Sequence, residues 1–191
     1  MVNKTKEQLI WDSCKTVRDL ANKAHADTNQ MYAGIYPYAL HLNWVSNTAR
    51  RFNEYLDETE LQEAYCTAAL HDSIEDARLT YHDVLNLLLK AGIVGGKTRE
   101  NIANNVLALT VDIRGRNRKE RQNDAYYEDI NKTRVRRYAK ICDRIANMQY
   151  GSIFGGSMLD KYRKELYGED GFLEKLNVAE FSKMYDFLIG L

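Results

Sequence analysis

The residues best able to do chemistry lie in one short run, His71-Asp72-Ser73-Ile74-Glu75-Asp76. It follows an apolar, small-residue segment, Leu61-Gln62-Glu63-Ala64-Tyr65-Cys66-Thr67-Ala68-Ala69-Leu70, that reads as a core helix. Imidazoles and carboxylates are the side chains that ligate divalent cations and carry protons. If the run is helical, His71 and Glu75 lie one turn apart, as do Asp72 and Asp76, and Asp72 shares a face with Glu75. Setting such a cluster against a core costs about 3–5 kcal/mol for one uncompensated charge. A cation or a hydrogen-bond network is therefore expected beside it.

Two further segments supply company. Pro37-Tyr38-Ala39-Leu40-His41 and Ile141-Cys142-Asp143-Arg144-Ile145-Ala146-Asn147-Met148 each place a possible ligand on an otherwise apolar helix face. His41, His71, Asp72 and Asp143 together form a mixed nitrogen and oxygen set without thiolate. Such a set suits a hexacoordinate Mn²⁺ or Fe²⁺, or another divalent metal with waters at its open positions, better than a closed structural zinc site. Open positions imply reactivity toward water and phosphoryl oxygen. Glu75 and Asp76, one turn beyond the ligands, are placed to orient a water and handle protons.

Helices must position these groups. Leu9, Ile10, Cys14, Val17, Leu20, Ala21 and Ala24 fall at helical spacing and predict a helix from Thr5 to about Asp27, with His25 near its end. A polar, glycine-containing loop follows from 28 to 36. Pro37 fits the first turn of a helix running from Tyr38 to about Leu56. The central helix is expected from Glu58 to Asp76. Thr80 with Asp83 marks a capped start to the next, which the glycines between 92 and 96 close. Further helices are expected from Thr98 to about Val111, Tyr126 to Gln149, Met158 to Tyr167 and Val178 to Leu191. Asp143 and Asn147 then sit one turn apart on one face. With no convincing strand pair, the fold class is all-α, a helical bundle.

Composition bounds the rest. The 191 residues suit a single domain with one core, and one proline permits long helices. With 27 basic and 27 acidic residues the net charge is zero, which argues against a general polyanion binder. Charge is nevertheless clustered: Arg114, Arg116, Arg118, Lys119 and Arg121 form a basic run that is either a solvated loop or a phosphate clamp. Cys14, Cys66 and Cys142 are widely spaced among apolar residues, as expected of buried thiols in a reducing compartment rather than of a disulfide framework. The N-terminal residues lack the apolar core of a signal peptide, and no run is long enough to span a bilayer. A cytoplasmic protein with no membrane partner is expected; oligomeric state is not legible.

The spaced pattern His41, His71-Asp72, Asp143 resembles the metal-binding signature of the HD phosphohydrolase superfamily. Within it the chain is most similar to the hydrolase domains of RelA/SpoT-type enzymes and their small stand-alone relatives, which hydrolyse the alarmone (p)ppGpp. The matching segments are Ala24-His25-Ala26, Pro37 to His41, Ala68 to Asp76 and Asp143 to Met148. The resemblance implies an HD helical fold, Mn²⁺, and 3′-pyrophosphate removal from a guanosine nucleotide. It assigns metal binding to His41, His71, Asp72 and Asp143, catalysis to Glu75 and Asp76, and nucleotide contact to Asn147. The family usually carries a basic residue before its Pro-Tyr that stacks on guanine. Here residues 28–36 contain neither Lys nor Arg, so Tyr32 or Tyr36 is the candidate stacking residue, with Arg114 a candidate phosphate contact. The partner expected is a small-molecule nucleotide. The alternatives are another phosphorylated nucleotide as substrate, or a non-catalytic nucleotide or nucleic-acid binding module.

Overall fold

The computed structural model describes residues 4–111, 118–168 and 171–191. Helix α1 (Lys6–Ser13) starts at Thr5, whose hydroxyl accepts from the Gln8 N–H while the Gln8 side chain accepts from the Thr5 N–H. A break at Cys14 separates it from α2 (Lys15–Asp27), so the single helix expected there is two. Val17, Ala21 and His25 form the buried face of α2.

The expected loop contains a small hairpin. Strands β1 (Met31–Tyr32) and β2 (Tyr36–Pro37) pair antiparallel, with Tyr32 opposite Tyr36. At its tip Ala33 and Gly34 have φ of 52° and 75°, the left-handed backbone of a turn whose twist matches paired strands. Pro37 therefore ends a strand instead of opening a helix. Helix α3 (Ala39–Arg51) buries His41, Leu42, Val45, Thr48 and Ala49 at helical spacing. It stops short of Leu56, and a single 3₁₀ turn, Asn53–Tyr55, follows.

Helix α4 (Glu58–Leu70) is capped by Asp57 with Glu60 reaching back, and is buried continuously from Ala64 to Leu70. Helix α5 (Tyr81–Lys90) begins with the Thr80–Asp83 capping box read from the sequence. Gly92 closes it at φ 89°, whereas Gly95 and Gly96 open α6 (Gly96–Leu109). A single turn, α7 (Arg118–Arg121), precedes α8 (Asp124–Asn131). The helix expected from Tyr126 to Gln149 divides at Thr133, which takes extended dihedrals and caps α9 (Arg134–Phe154) through its hydroxyl. Helices α10 (Ser157–Leu166), α11 (Phe172–Lys175) and α12 (Ser182–Ile189) complete an all-α bundle. Helices α3, α4 and α9 pack on one another and hold the core between them. Among the described residues no helix is long and apolar enough to cross a membrane.

Candidate metal centre

Helix α4 ends at Leu70, and the chain passes into consecutive turns, where the sequence suggested helix to Asp76. The Ser73 N–H reaches back to the Leu70 carbonyl and the Asp76 N–H to that of Asp72, both at 2.8 Å. His71 itself keeps right-handed helical dihedrals, φ −53° and ψ −35°, and its Nε2 stands 2.9 Å from Asp72 Oδ2.

The remaining donors arrive from the two helices packed against α4. The buried face of α3 brings His41 Nε2 to 3.2 Å from His71 Nε2 and 3.5 Å from Asp72 Oδ2. Helix α9 contributes Asp143, whose Oδ1 lies 3.3 Å from His41 Nε2 and 3.7 Å from His71 Nε2. Ligand atoms of His41, His71 and Asp143 all fall within 4.8 Å of one another, and Asp72 adjoins them. This group could hold a divalent metal ion. Donors about 2.1 Å from an octahedral ion stand about 3 Å apart when adjacent, close to the separations observed. His71 Nδ1 lies 2.9 Å from the Ala68 carbonyl, which selects the tautomer that leaves Nε2 as a ligand.

The charges are strongly coupled. Burial favours neutral forms throughout, but Lys140 beside Asp143 and the hydrogen bond to His41 hold the Asp143 carboxyl far below its usual range. Burial likewise opposes charge on His41, yet Asp143 and Asp72 outweigh it and push the imidazole to about 9. Asp72 is held low by the two histidines despite its burial. Glu75 and Asp76 go the other way. Burial and the neighbouring Asp72 raise both. The Tyr38 hydroxyl is shared between Asp72 Oδ2 at 2.6 Å and Asp76 Oδ2 at 2.7 Å, tying the two carboxylates together. Glu75 Oε2 accepts from the Val111 N–H at 3.5 Å.

A cleft of about 340 Å³ opens over this cluster. His41, Asp72, Asp143, Glu75 and Asp76 are among its lining residues, and Arg121, Lys140, Lys161 and Tyr162 add cationic and phenolic groups. Lys140 Nζ lies 3.1 Å from Asp143 Oδ2. Five of the six residues read from the sequence as ligands and acid–base groups thus line one cleft, and His71 lies behind them with its Nε2 against His41, Asp72 and Asp143.

The substrate-contact candidates fare differently. Asn147 lines the cleft, but its Nδ2 donates to Asp143 Oδ1 at 2.6 Å. Tyr32 is stacked on His41, and Tyr36 packs near Tyr150 and Phe154; neither lines the cleft. Arg114 and Arg116 lie outside the described residues. Of the basic run, Arg121 reaches the cleft. Lys140, Lys161, Tyr162 and Tyr38 escaped the sequence reading as site residues. Tyr38 and Lys140 left a signal, since each precedes a ligand by three positions and so shares its helical side. Lys161 and Tyr162 left none.

No protein-family model matches the chain, and no curated protein sequence matches it.

Proposed function

We propose that this chain is a metal-dependent phosphohydrolase of the HD type acting on a nucleotide, with (p)ppGpp and loss of its 3′-pyrophosphate the leading substrate assignment. The observation that carries the reading is the convergence of His41, His71, Asp72 and Asp143 beneath a cleft that also holds Glu75, Asp76 and a cationic rim. Mn²⁺ or Fe²⁺ fits this nitrogen and oxygen donor set. A divalent cation held there supplies Lewis acidity toward a phosphoryl oxygen and toward water. The chain's own groups do the rest. Glu75, its carboxyl pushed upward by burial and Asp72, accepts the proton of an attacking water. Asp76, tied through Tyr38 to Asp72 and with its carboxyl likewise pushed upward by burial and Asp72, is placed to pass a proton beside the ligand carboxylate. Lys140, Arg121 and Lys161 offset phosphate charge along the cleft.

One observation favours a second substrate. Neither Lys nor Arg occurs between 28 and 36, and Tyr32 is turned onto His41 instead of into the cleft. The same chemistry on another phosphorylated nucleotide, such as a phosphorylated dinucleotide or a nucleoside polyphosphate, follows from that. The deciding assay offers Mn²⁺-loaded protein ppGpp, NADPH, nucleoside triphosphates and deoxynucleotides, and follows released phosphate and pyrophosphate. Pyrophosphate released from ppGpp alone supports the leading assignment, and turnover of another member supports the second. Asp72→Ala and His71→Ala should lose bound metal and activity together. Full metal occupancy in both variants, or no hydrolysis of any member by wild type, would overturn the reading.

A further inference from the structure

The two ligand imidazoles are held in different ways. His71 has the usual outer contact of a ligating histidine, Nδ1 against a backbone carbonyl. His41 Nδ1 is buried and has no hydrogen-bond partner among the described residues. Its ring is held by aromatic neighbours instead. Tyr32 lies face to face with it, ring centroids 4.8 Å apart and planes 16° from parallel, while Tyr38 meets it edge-on. Tyr32 is itself boxed in by the edges of Tyr38 and Tyr150.

The hydroxyl of the same tyrosine reaches a second ligand. Tyr32 Oη donates to Asn147 Oδ1 at 2.8 Å. Asn147 Nδ2 in turn donates to Asp143 Oδ1 at 2.6 Å, the oxygen that stands 3.3 Å from His41 Nε2. Both ends of the Asn147 amide are thus committed inside the protein. One hairpin side chain touches His41 with its face and Asp143 through a relay.

We infer that Tyr32 is a positioning residue of the metal centre, orienting His41 by stacking and Asp143 through Asn147. The inference rests on the metal-centre reading above and reassigns Tyr32 and Asn147 from receiving substrate to aiming ligands. Outer-shell partners of this kind typically change metal affinity by about 10–100-fold. The tight turn at Ala33 and Gly34 places Tyr32 over the site, so the hairpin belongs to the metal centre and not to a detachable loop.

The test measures the Mn²⁺ dissociation constant of the full chain by competition with a chelating dye. Tyr32→Phe keeps the ring and removes the hydroxyl, so it should weaken Mn²⁺ binding about tenfold. Tyr32→Leu loses the aromatic stack as well and should weaken it further. Because the hydroxyl acts through Asn147, adding Tyr32→Phe to Asn147→Ala should cost nothing more than Asn147→Ala alone. At saturating Mn²⁺ the KM of Tyr32→Phe should equal that of wild type. Wild-type Mn²⁺ affinity in Tyr32→Phe with a raised KM would make Tyr32 a substrate contact and overturn the inference. Fully additive effects in the double variant would overturn the relay. Failure of the wild type to bind Mn²⁺ would instead remove the metal centre itself, and is read in the same titration.

Discussion

His25 is fully buried, and its ring stacks on Tyr38 with centroids 4.5 Å apart and planes 1° from parallel. Neither ring nitrogen meets a hydrogen-bond partner among the described residues. Burial holds its pKa down to about 4, from an ordinary 6.5. The unfolded chain therefore takes up this proton as pH falls through 6.5, while the folded chain resists until pH approaches 4. More protons are bound unfolded than folded across that window, so stability is full above it and declines as pH falls through it. The loss amounts to about 1 kcal/mol near pH 5.5 and about 2 kcal/mol near pH 4.5. His25→Phe keeps the ring against Tyr38 and removes the titration. Urea unfolding should find the variant at least as stable as wild type near neutral pH, because no side-chain hydrogen bond is lost. The gap should then widen in its favour by about 2 kcal/mol near pH 4.5. Glu75 and Asp76, both raised, act in the opposite direction. They do so in both proteins, so the difference isolates His25. Parallel stability curves for the two proteins across this range would refute the argument.

Two further outcomes test the cleft. Glu75→Gln keeps the side chain's size and removes its charge, so bound metal should be retained while turnover falls by about two to four orders of magnitude; wild-type turnover would make Glu75 only a solvating group. Arg121→Gln combined with Lys161→Gln should raise KM most for the most highly charged substrate, and less as salt rises, since exposed charges are screened over about 8 Å at physiological ionic strength. Metal content should not change, and an unaltered KM at low salt would show that phosphate is not bound at that rim.

What the sequence determined by itself was whatever depends on near neighbours. Helical periodicity exposed the buried faces of α2, α3 and α9, and the Thr80–Asp83 box marked the start of α5 because capping is settled within one turn. Asp143 and Asn147 were legible as neighbours because four residues on a helix return to the same face; that Asn147, expected to contact a nucleotide, bonds Asp143 was not. The donor types of His41, His71, Asp72 and Asp143 were equally plain, since two imidazoles and two carboxylates in apolar surroundings require compensation wherever they meet. Tertiary structure alone decided the rest. Periodicity carried α4 on to Asp76, but the regular helix ends at Leu70, and the packing of α3 and α9 against α4 is what brings His41 and Asp143 to the His71–Asp72 pair. Lys161 and Tyr162 sit on an amphipathic helix where nothing local separates a solvated face from a cleft wall; only the packing of α10 beside α9 makes that distinction. Tyr32 was a candidate to meet a base because residues 28–36 hold no Lys or Arg to do so. The hairpin turn swings it inward, and the partners that hold it there, His41 and Asn147, are brought to it by packing across the fold.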